Sequence, residues 1–215
     1  MADESTPAWN PKTLLVRAAV IWFTMVALGA GGIVLWSASK TTTPPEHYGL
    51  VPDFSLTAQS GAAFGSDQLH GKIWVSNFIF TRCKTVCPIF SAKMASLRDR
   101  MPSEMDGVRF VSFSVDPTFD TPEILAAYST QYDANPDRWH FLTGPTDSIR
   151  EVVTDAMKIM MGDPTEVEAP EDLMHGSHFV LVDQQRSIRG FYQVSNDDTI
   201  ERLMGDIKTL MAEPN

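Results

Sequence analysis

Cys83 and Cys87 are the only thiols in the 215-residue chain, and just three residues separate them. They follow the apolar run Phe78-Ile79-Phe80 and end at Pro88, so the stretch reads as strand, loop and helix start. Helix-terminal N–H groups favour a thiolate at such a place, and the neighbouring cations of Arg82 and Lys84 are expected to do the same. Two thiolates at this spacing can converge on one soft metal ion. They can also close a disulfide where their Cα atoms come within about 7 Å. A structural zinc site wants four ligands, more than two cysteines supply. A mixed Cys-Cys-His set suits copper better: thiolates hold Cu(I), and an added imidazole helps to hold Cu(II). Paired spacing and placement argue against two inert buried thiols.

Five histidines could supply the imidazole. His47 falls in a tether, His70 in a turn before the central strand, and His140 inside a short strand beside Trp139, where packing or solvation is expected. His175 closes an acidic loop just before a strand, and His178 lies three residues further on. By position alone these two stand about even. Met157, Met160, Met161 and Met174 lie on the approach to His175; thioethers suit Cu(I), but core packing accounts for the first three at least as well. Glu166, Glu168, Glu171 and Asp172 read as a solvated loop rather than as hard-metal ligands.

Positioning these groups falls to a run of alternating elements. Val51 to Thr57 alternates as a short strand, turning at Gln59-Ser60-Gly61 into a hairpin that ends near Phe64. Ile73 to Phe80 is apolar nearly throughout, as for a strand buried on both faces. Ile89, Phe90, Met94 and Leu97 have helical spacing from Pro88 onward. Val108 to Val115 is the next strand, and Thr121-Pro122 reads as an N-cap followed by proline at the first helical position, with the helix running to Tyr132. A strand at 139–144, a helix at 147–160 and a loop at 162–172 follow. Phe179 to Asp183 and Ile188 to Tyr192 form a hairpin, and a last helix from Asp197-Asp198 carries the stripe Ile200, Leu203, Ile207, Leu210, Met211. The whole is an α/β sandwich on a mixed sheet.

Residues 18–38 carry no charge over a length that matches the roughly 30 Å hydrocarbon core, with Trp22 and Trp36 toward the two ends. Lys12 and Arg17 precede the span and Lys40 follows it, which favours a cytoplasmic N-terminus at 1–17 and an exported C-terminal domain. The apolar stretch exceeds that of a cleaved signal peptide, so it reads as a signal anchor. Residues 39–50, with Thr41-Thr42-Thr43-Pro44-Pro45, are expected to form an extended tether, and 51–215 the globular domain. From Glu46 onward 14 Lys and Arg face 25 Asp and Glu, a net charge of −11, which excludes the basic footprint of a nucleic-acid binder. The first seventeen residues are not Arg-rich and hold Asp3 and Glu4, unlike a mitochondrial transit peptide. That leans toward a bacterial inner membrane with the domain in the periplasm.

Three features occur together: Cys-x-x-x-Cys-Pro after an apolar strand, Asp116-Pro117 followed by Asp120-Thr121-Pro122-Glu123 after the next, and His175-Gly176-Ser177 ahead of Phe179-Val180-Leu181-Val182-Asp183. In this combination the chain resembles the Sco/SenC family of membrane-anchored, thioredoxin-fold copper proteins, from about Val51 to the end. The resemblance implies a thioredoxin-like fold with an N-terminal hairpin extension and copper held by Cys83, Cys87 and His175. It implies an indirect role for Asp116 beside the metal. It also implies a metallochaperone that takes copper from a donor protein and helps to load the dinuclear copper site of a haem–copper oxidase subunit. Lys84 departs from the pattern, since many members carry proline there. A competing role is that of a thiol–disulfide oxidoreductase in which Cys83 and Cys87 cycle as the redox pair and His175 is dispensable. A peroxidase of the peroxiredoxin kind fits less well: it wants Thr-x-x-Cys, and Thr81 stands only two residues before Cys83.

Overall fold

The structure is a computed structural model that describes residues 20–26, 45–161 and 177–213. His175, Met174, the loop at 162–172 and most of the span at 18–38 lie outside the described residues. Residues 20–26 are helical; among the described residues no helix is long and apolar enough to cross a membrane.

From Pro45 onward the elements are β1 (Gly49–Leu50), β2 (Ser55–Ala58), β3 (Ala63–Gly65), α1 (Ser66–Leu69), β4 (Trp74–Ile79), α2 (Val86–Arg100), β5 (Arg109–Ser114), α3 (Pro122–Thr130), β6 (Trp139–Thr143) and α4 (Thr146–Arg150). After α4 come β7 (His178–Val182), β8 (Ser187–Gln193) and α5 (Thr199–Ala212). One mixed sheet runs β1-β8-β7-β4-β5-β6-β2-β3. The centre, β4-β5-β6, is parallel; β7 and β8 join one side and β2 and β3 the other, all antiparallel. All six residues of β4 are buried, as expected of a strand covered on both faces.

Alternation along the strands feeds two cores. Val75, Ile79, Phe110, Phe179 and Leu181 cluster with Phe90, Met94 and Leu97 of α2, Leu125 of α3 and Leu203, Ile207 and Leu210 of α5. Trp74, Phe78, Val111, Phe113, Val180 and Val182 cluster on the other side with Ile149 of α4, Leu56, Leu69, Cys83 and Cys87. Met211, expected on the α5 stripe, is exposed, because one residue past buried Leu210 points about 100° away.

Several expectations need correction. The expected strand at 51–57 starts only at Ser55, since the Val51 N–H already donates to the Arg186 carbonyl at 2.9 Å and the Phe54 N–H to Ser66 Oγ at 3.4 Å. The helix expected over 147–160 ends earlier. From Glu151 to Ala156 it widens into a π-helix, with the Met157 N–H donating to the Val152 carbonyl at 3.1 Å, and Lys158 takes φ 59°. That wider turn buries Val152, Val153, Met157 and Ile159 and leaves Met160 outside at 66% exposure.

Residues 45–50, read as part of the tether, pack on the domain. Gly49 and Leu50 pair with Ile188 and Ser187, His47 Nδ1 lies 2.6 Å from Ser187 Oγ, and Arg189 donates to the Pro45 carbonyl at 2.9 and 3.1 Å. Buried Arg189 also bonds Asp183 at 2.8 Å and Glu213 at 3.1 Å, joining the start of the folded unit to the end of α5.

Candidate metal and redox site

Parallel pairing of β4 and β5 decides what sits near the thiols. Ile79 is opposite Ser114, and the Val115 N–H donates to the Ile79 carbonyl at 2.8 Å. The residues leaving the two strands, Phe80–Cys83 and Asp116–Asp120, therefore emerge side by side at the carboxyl end of the sheet, the usual place for a site in an α/β fold.

Helix α2 starts at Val86, two residues before the expected Pro88, and places Cys87 in its first turn. Proline fits there because the first four helical N–H groups have no intrahelical acceptor. Cys83 lies in the preceding loop at 7% exposure, whereas Cys87 is fully buried; both thiols are free. The Cys83 N–H donates to the Phe80 carbonyl at 3.1 Å. Its sulfur accepts from the Cys87 N–H at 3.4 Å and lies 3.6 Å from Thr85 Oγ1.

The two thiols differ as acids. Burial pushes the Cys83 thiol up, but hydrogen bonds from the backbone of Cys87 and Thr85, and from the Thr85 hydroxyl and the Cys87 thiol, bring it below its ordinary value. Burial pushes the Cys87 thiol well up. The Phe80 backbone opposes that rise, while the Cys83 sulfur and the Asp120 charge add to it. The pair holds one thiol ready to ionise and one held protonated.

Arg82 does not serve the thiolate as the sequence suggests. Its Nε and Nη2 donate to Asp116 Oδ2 at 3.0 and 2.5 Å, and its guanidinium lies 4.6 Å from the centre of the Phe119 ring. The helix start and Thr85 supply the stabilisation instead. Asp116, expected near the metal, is fully buried and meets the site through Arg82; Thr118 Oγ1 donates to its other oxygen at 3.0 Å.

Asp120, read in sequence only as part of the run before α3, is also fully buried. It accepts from Thr81 Oγ1 at 2.5 Å, from the Thr81 N–H at 3.2 and 3.3 Å, and from Ser114 Oγ at 2.5 Å. Burial, only partly offset by these bonds, and the neighbouring Asp116 charge raise its carboxyl above the ordinary value. The one available signal was an acid just before the Thr121 cap, after a strand parallel to the one that carries the thiols.

Of the four described histidines, none joins the thiols. His47 is engaged with Ser187, and His70 stands exposed beside Arg186 and Gln184 at the mouth of a surface cavity of about 440 Å³. His140 stacks on Phe64 with ring centres 4.1 Å apart. His178 opens β7, opposite Gln193 of β8. Among the described residues no three His, Cys, Asp or Glu side chains gather as a metal site. Met157 is buried and accepts from Ser76 Oγ at 3.7 Å, a core role; Met161 packs against the same cluster.

The sequence profile of the SCO1/SenC family matches residues 42–212. The SCO1 protein homolog of Bacillus subtilis is 32% identical over 166 residues, which cover 77% of this chain and 84% of the relative. The solved structure of BsSco has a TM-score of 0.70 at 30% identity over 80% of this chain and 98% of that one. It is described as a member of the Sco family of cytochrome c oxidase assembly proteins in which a disulfide switch was identified. ScoI of Bradyrhizobium japonicum with copper bound has a TM-score of 0.62 at 24% identity, over 75% of this chain and 99% of that one, a likeness of fold.

Proposed function

The chain belongs to the SCO1/SenC family, and from that premise we propose that it is a copper metallochaperone whose cargo is held by Cys83, Cys87 and His175. The observation that carries this reading is the recessed thiol pair at the carboxyl end of the parallel strands, with Cys83 already hydrogen-bonded as a thiolate would be. Soft thiolates select Cu(I), and an imidazole extends the site to Cu(II). Chain connectivity supports His175 as that imidazole. Ser76 pairs with Val180, so β7 starts at the thiol end of β4, and three residues of chain span at most about 10 Å.

Cys83 takes the metal first, as the more acidic thiol, and Cys87 gives up its proton as it binds. Copper then passes by ligand exchange to the cysteines of the copper-receiving subunit of a haem–copper oxidase, having come from a donor protein. The span at 18–38 anchors the domain to a bacterial inner membrane on its periplasmic side. Anaerobic Cu(I) and Cu(II) titration tests the assignment. Cys83→Ser with Cys87→Ser loses copper, and His175→Ala loses stable Cu(II) binding. Full copper loading of the double cysteine variant refutes the reading.

The difference between the two thiols favours a second role, thiol–disulfide exchange. Cys83 attacks a partner disulfide and releases one partner thiolate. Cys87 then loses its proton and attacks the Cys83 sulfur, forming the Cys83–Cys87 disulfide and expelling the partner's second sulfur as a thiolate, so two electrons pass from the dithiol to the partner. A disulfide-reduction assay separates the roles, because His175→Ala leaves this activity intact while Cu(II) binding fails.

A further inference from the structure

We propose that Asp120 is a positioning residue for the thiol pair, acting on Cys83 through a single peptide plane. The peptide unit joining Phe80 to Thr81 is held at both ends. Its N–H, on Thr81, donates to both oxygens of Asp120 at 3.2 and 3.3 Å. Its carbonyl, on Phe80, accepts the Cys83 N–H at 3.1 Å. A peptide plane is rigid, so fixing its N–H fixes where its carbonyl points. Asp120 therefore sets the orientation of the group to which Cys83 is tied, and the Cys83 sulfur in turn accepts from the Cys87 N–H at 3.4 Å.

Two further contacts keep the carboxylate in place: Thr81 Oγ1 donates to one oxygen and Ser114 Oγ to the other, each at 2.5 Å. Asp120 is anchored through its own backbone as well, its N–H donating to the Asp116 carbonyl at 2.9 Å. Asp116 grips the next residue, Arg82, but that side chain is 42% exposed, whereas every partner of the Asp120 carboxylate is buried or half-buried. Two successive residues before Cys83 are thus held by one turn after β5, and Asp120 is the enclosed half of the grip.

The inference rests on the copper reading of the same site, and the test separates the two. Asp120→Ala removes the acceptor. Asp120→Asn keeps one oxygen for Thr81 and turns an N–H toward Ser114, whose hydroxyl can rotate to accept it. In the full-length chain, amide exchange at Thr81 and Cys83 is expected to accelerate on the order of tenfold in Asp120→Ala while the β5 amides keep their protection. Cu(II) affinity is expected to fall between about tenfold and a hundredfold, with a shifted thiolate-to-copper absorption band. Asp120→Asn restores both readouts to within about threefold of wild type. If Asp120→Ala does not fold, Thr81→Val carries the test with a smaller loss of Cu(II) affinity. The proposal is overturned by wild-type exchange at Thr81 and Cys83 in Asp120→Ala, by an Asp120→Asn variant as impaired as Asp120→Ala, or by full affinity in Thr81→Val. A wild-type chain that binds no Cu(II) sinks the functional reading instead, and the exchange comparison still decides the positioning.

Discussion

Thr85→Val tests where the acidity of Cys83 comes from. The Thr85 hydroxyl lies 3.6 Å from the Cys83 sulfur and makes no capping bond to α2, so exchanging it for a methyl group of similar shape leaves the helix start alone. A hydrogen bond to a charged acceptor contributes about 1.5–3 kcal/mol, and at this length the lower end applies. About 1.4 kcal/mol is a factor of ten in thiolate population at a pH below the titration midpoint. Iodoacetamide alkylation, resolved at Cys83 by mass spectrometry across a pH series, should therefore slow by about tenfold at neutral pH, with its profile moved to higher pH. The paired change Arg82→Gln with Asp116→Asn removes an ion pair that is satisfied within itself, and should leave the profile within about twofold. The opposite pattern, an unmoved profile in Thr85→Val and a large shift in the paired variant, refutes the argument that hydrogen bonds rather than the neighbouring cation set this thiol.

Other regions give independent tests. Burial first, then the charges of Arg109 and Lys72, push His140 down to about 4 from 6.5. The unfolded chain therefore binds a proton that the native chain refuses between those values, and stability falls as pH drops from about 6.5 to 4. Discounted for the partly exposed ring, the loss is about 1–2 kcal/mol. Urea unfolding at pH 7 and pH 4.5 should show a smaller difference in His140→Phe than in wild type. Arg189→Met leaves buried Asp183 without its counterion, though still bonded by two backbone N–H groups, and should lower the unfolding free energy by about 3 kcal/mol. In Gly65→Ala the new methyl carbon would collide with the Phe54 carbonyl oxygen, so β3 and the chain entering β2 must part locally, at about 1–3 kcal/mol read as a lower thermal midpoint.

Local pattern made the central elements legible. The apolar run of β4, the Thr121 cap with its bond from the Ile124 N–H at 3.4 Å, and the buried stripe of α5 from Ile200 to Leu210 each depend on residues within a few positions of one another. The rest depended on distant partners. The docking of residues 45–50 needs Arg189 and Ser187, over a hundred residues away, so composition alone read a free tether. Arg82 looked like a cation for the thiolate because Cys83 is its neighbour in sequence; the register of β4 against β5 gives it to Asp116 instead. The same register hides Asp120 from any reading of the chain in order, since its partner Thr81 comes 39 residues earlier. The π-helix after α4 exists because four residues must reach one core at once, a demand that no helical wheel states.

These dependencies divide the proposed copper site into parts with different physical origins. Cys83 and Cys87 belong to one preformed piece, tied by the helix start, the Phe80–Thr81 peptide and the paired acids. On the proposed reading the third ligand comes from a separate piece of chain, the residues leading into β7. Two thiolates suffice for Cu(I), whereas Cu(II) gains from an imidazole. The thiol piece alone should then keep Cu(I) when the histidine is lost, while Cu(II) requires both pieces together. A site built this way couples oxidation state to the number of ligands engaged, so reduction of the bound metal loosens one of its three attachments. The cargo then becomes easiest to hand over in the state in which thiolates of a partner compete for it best.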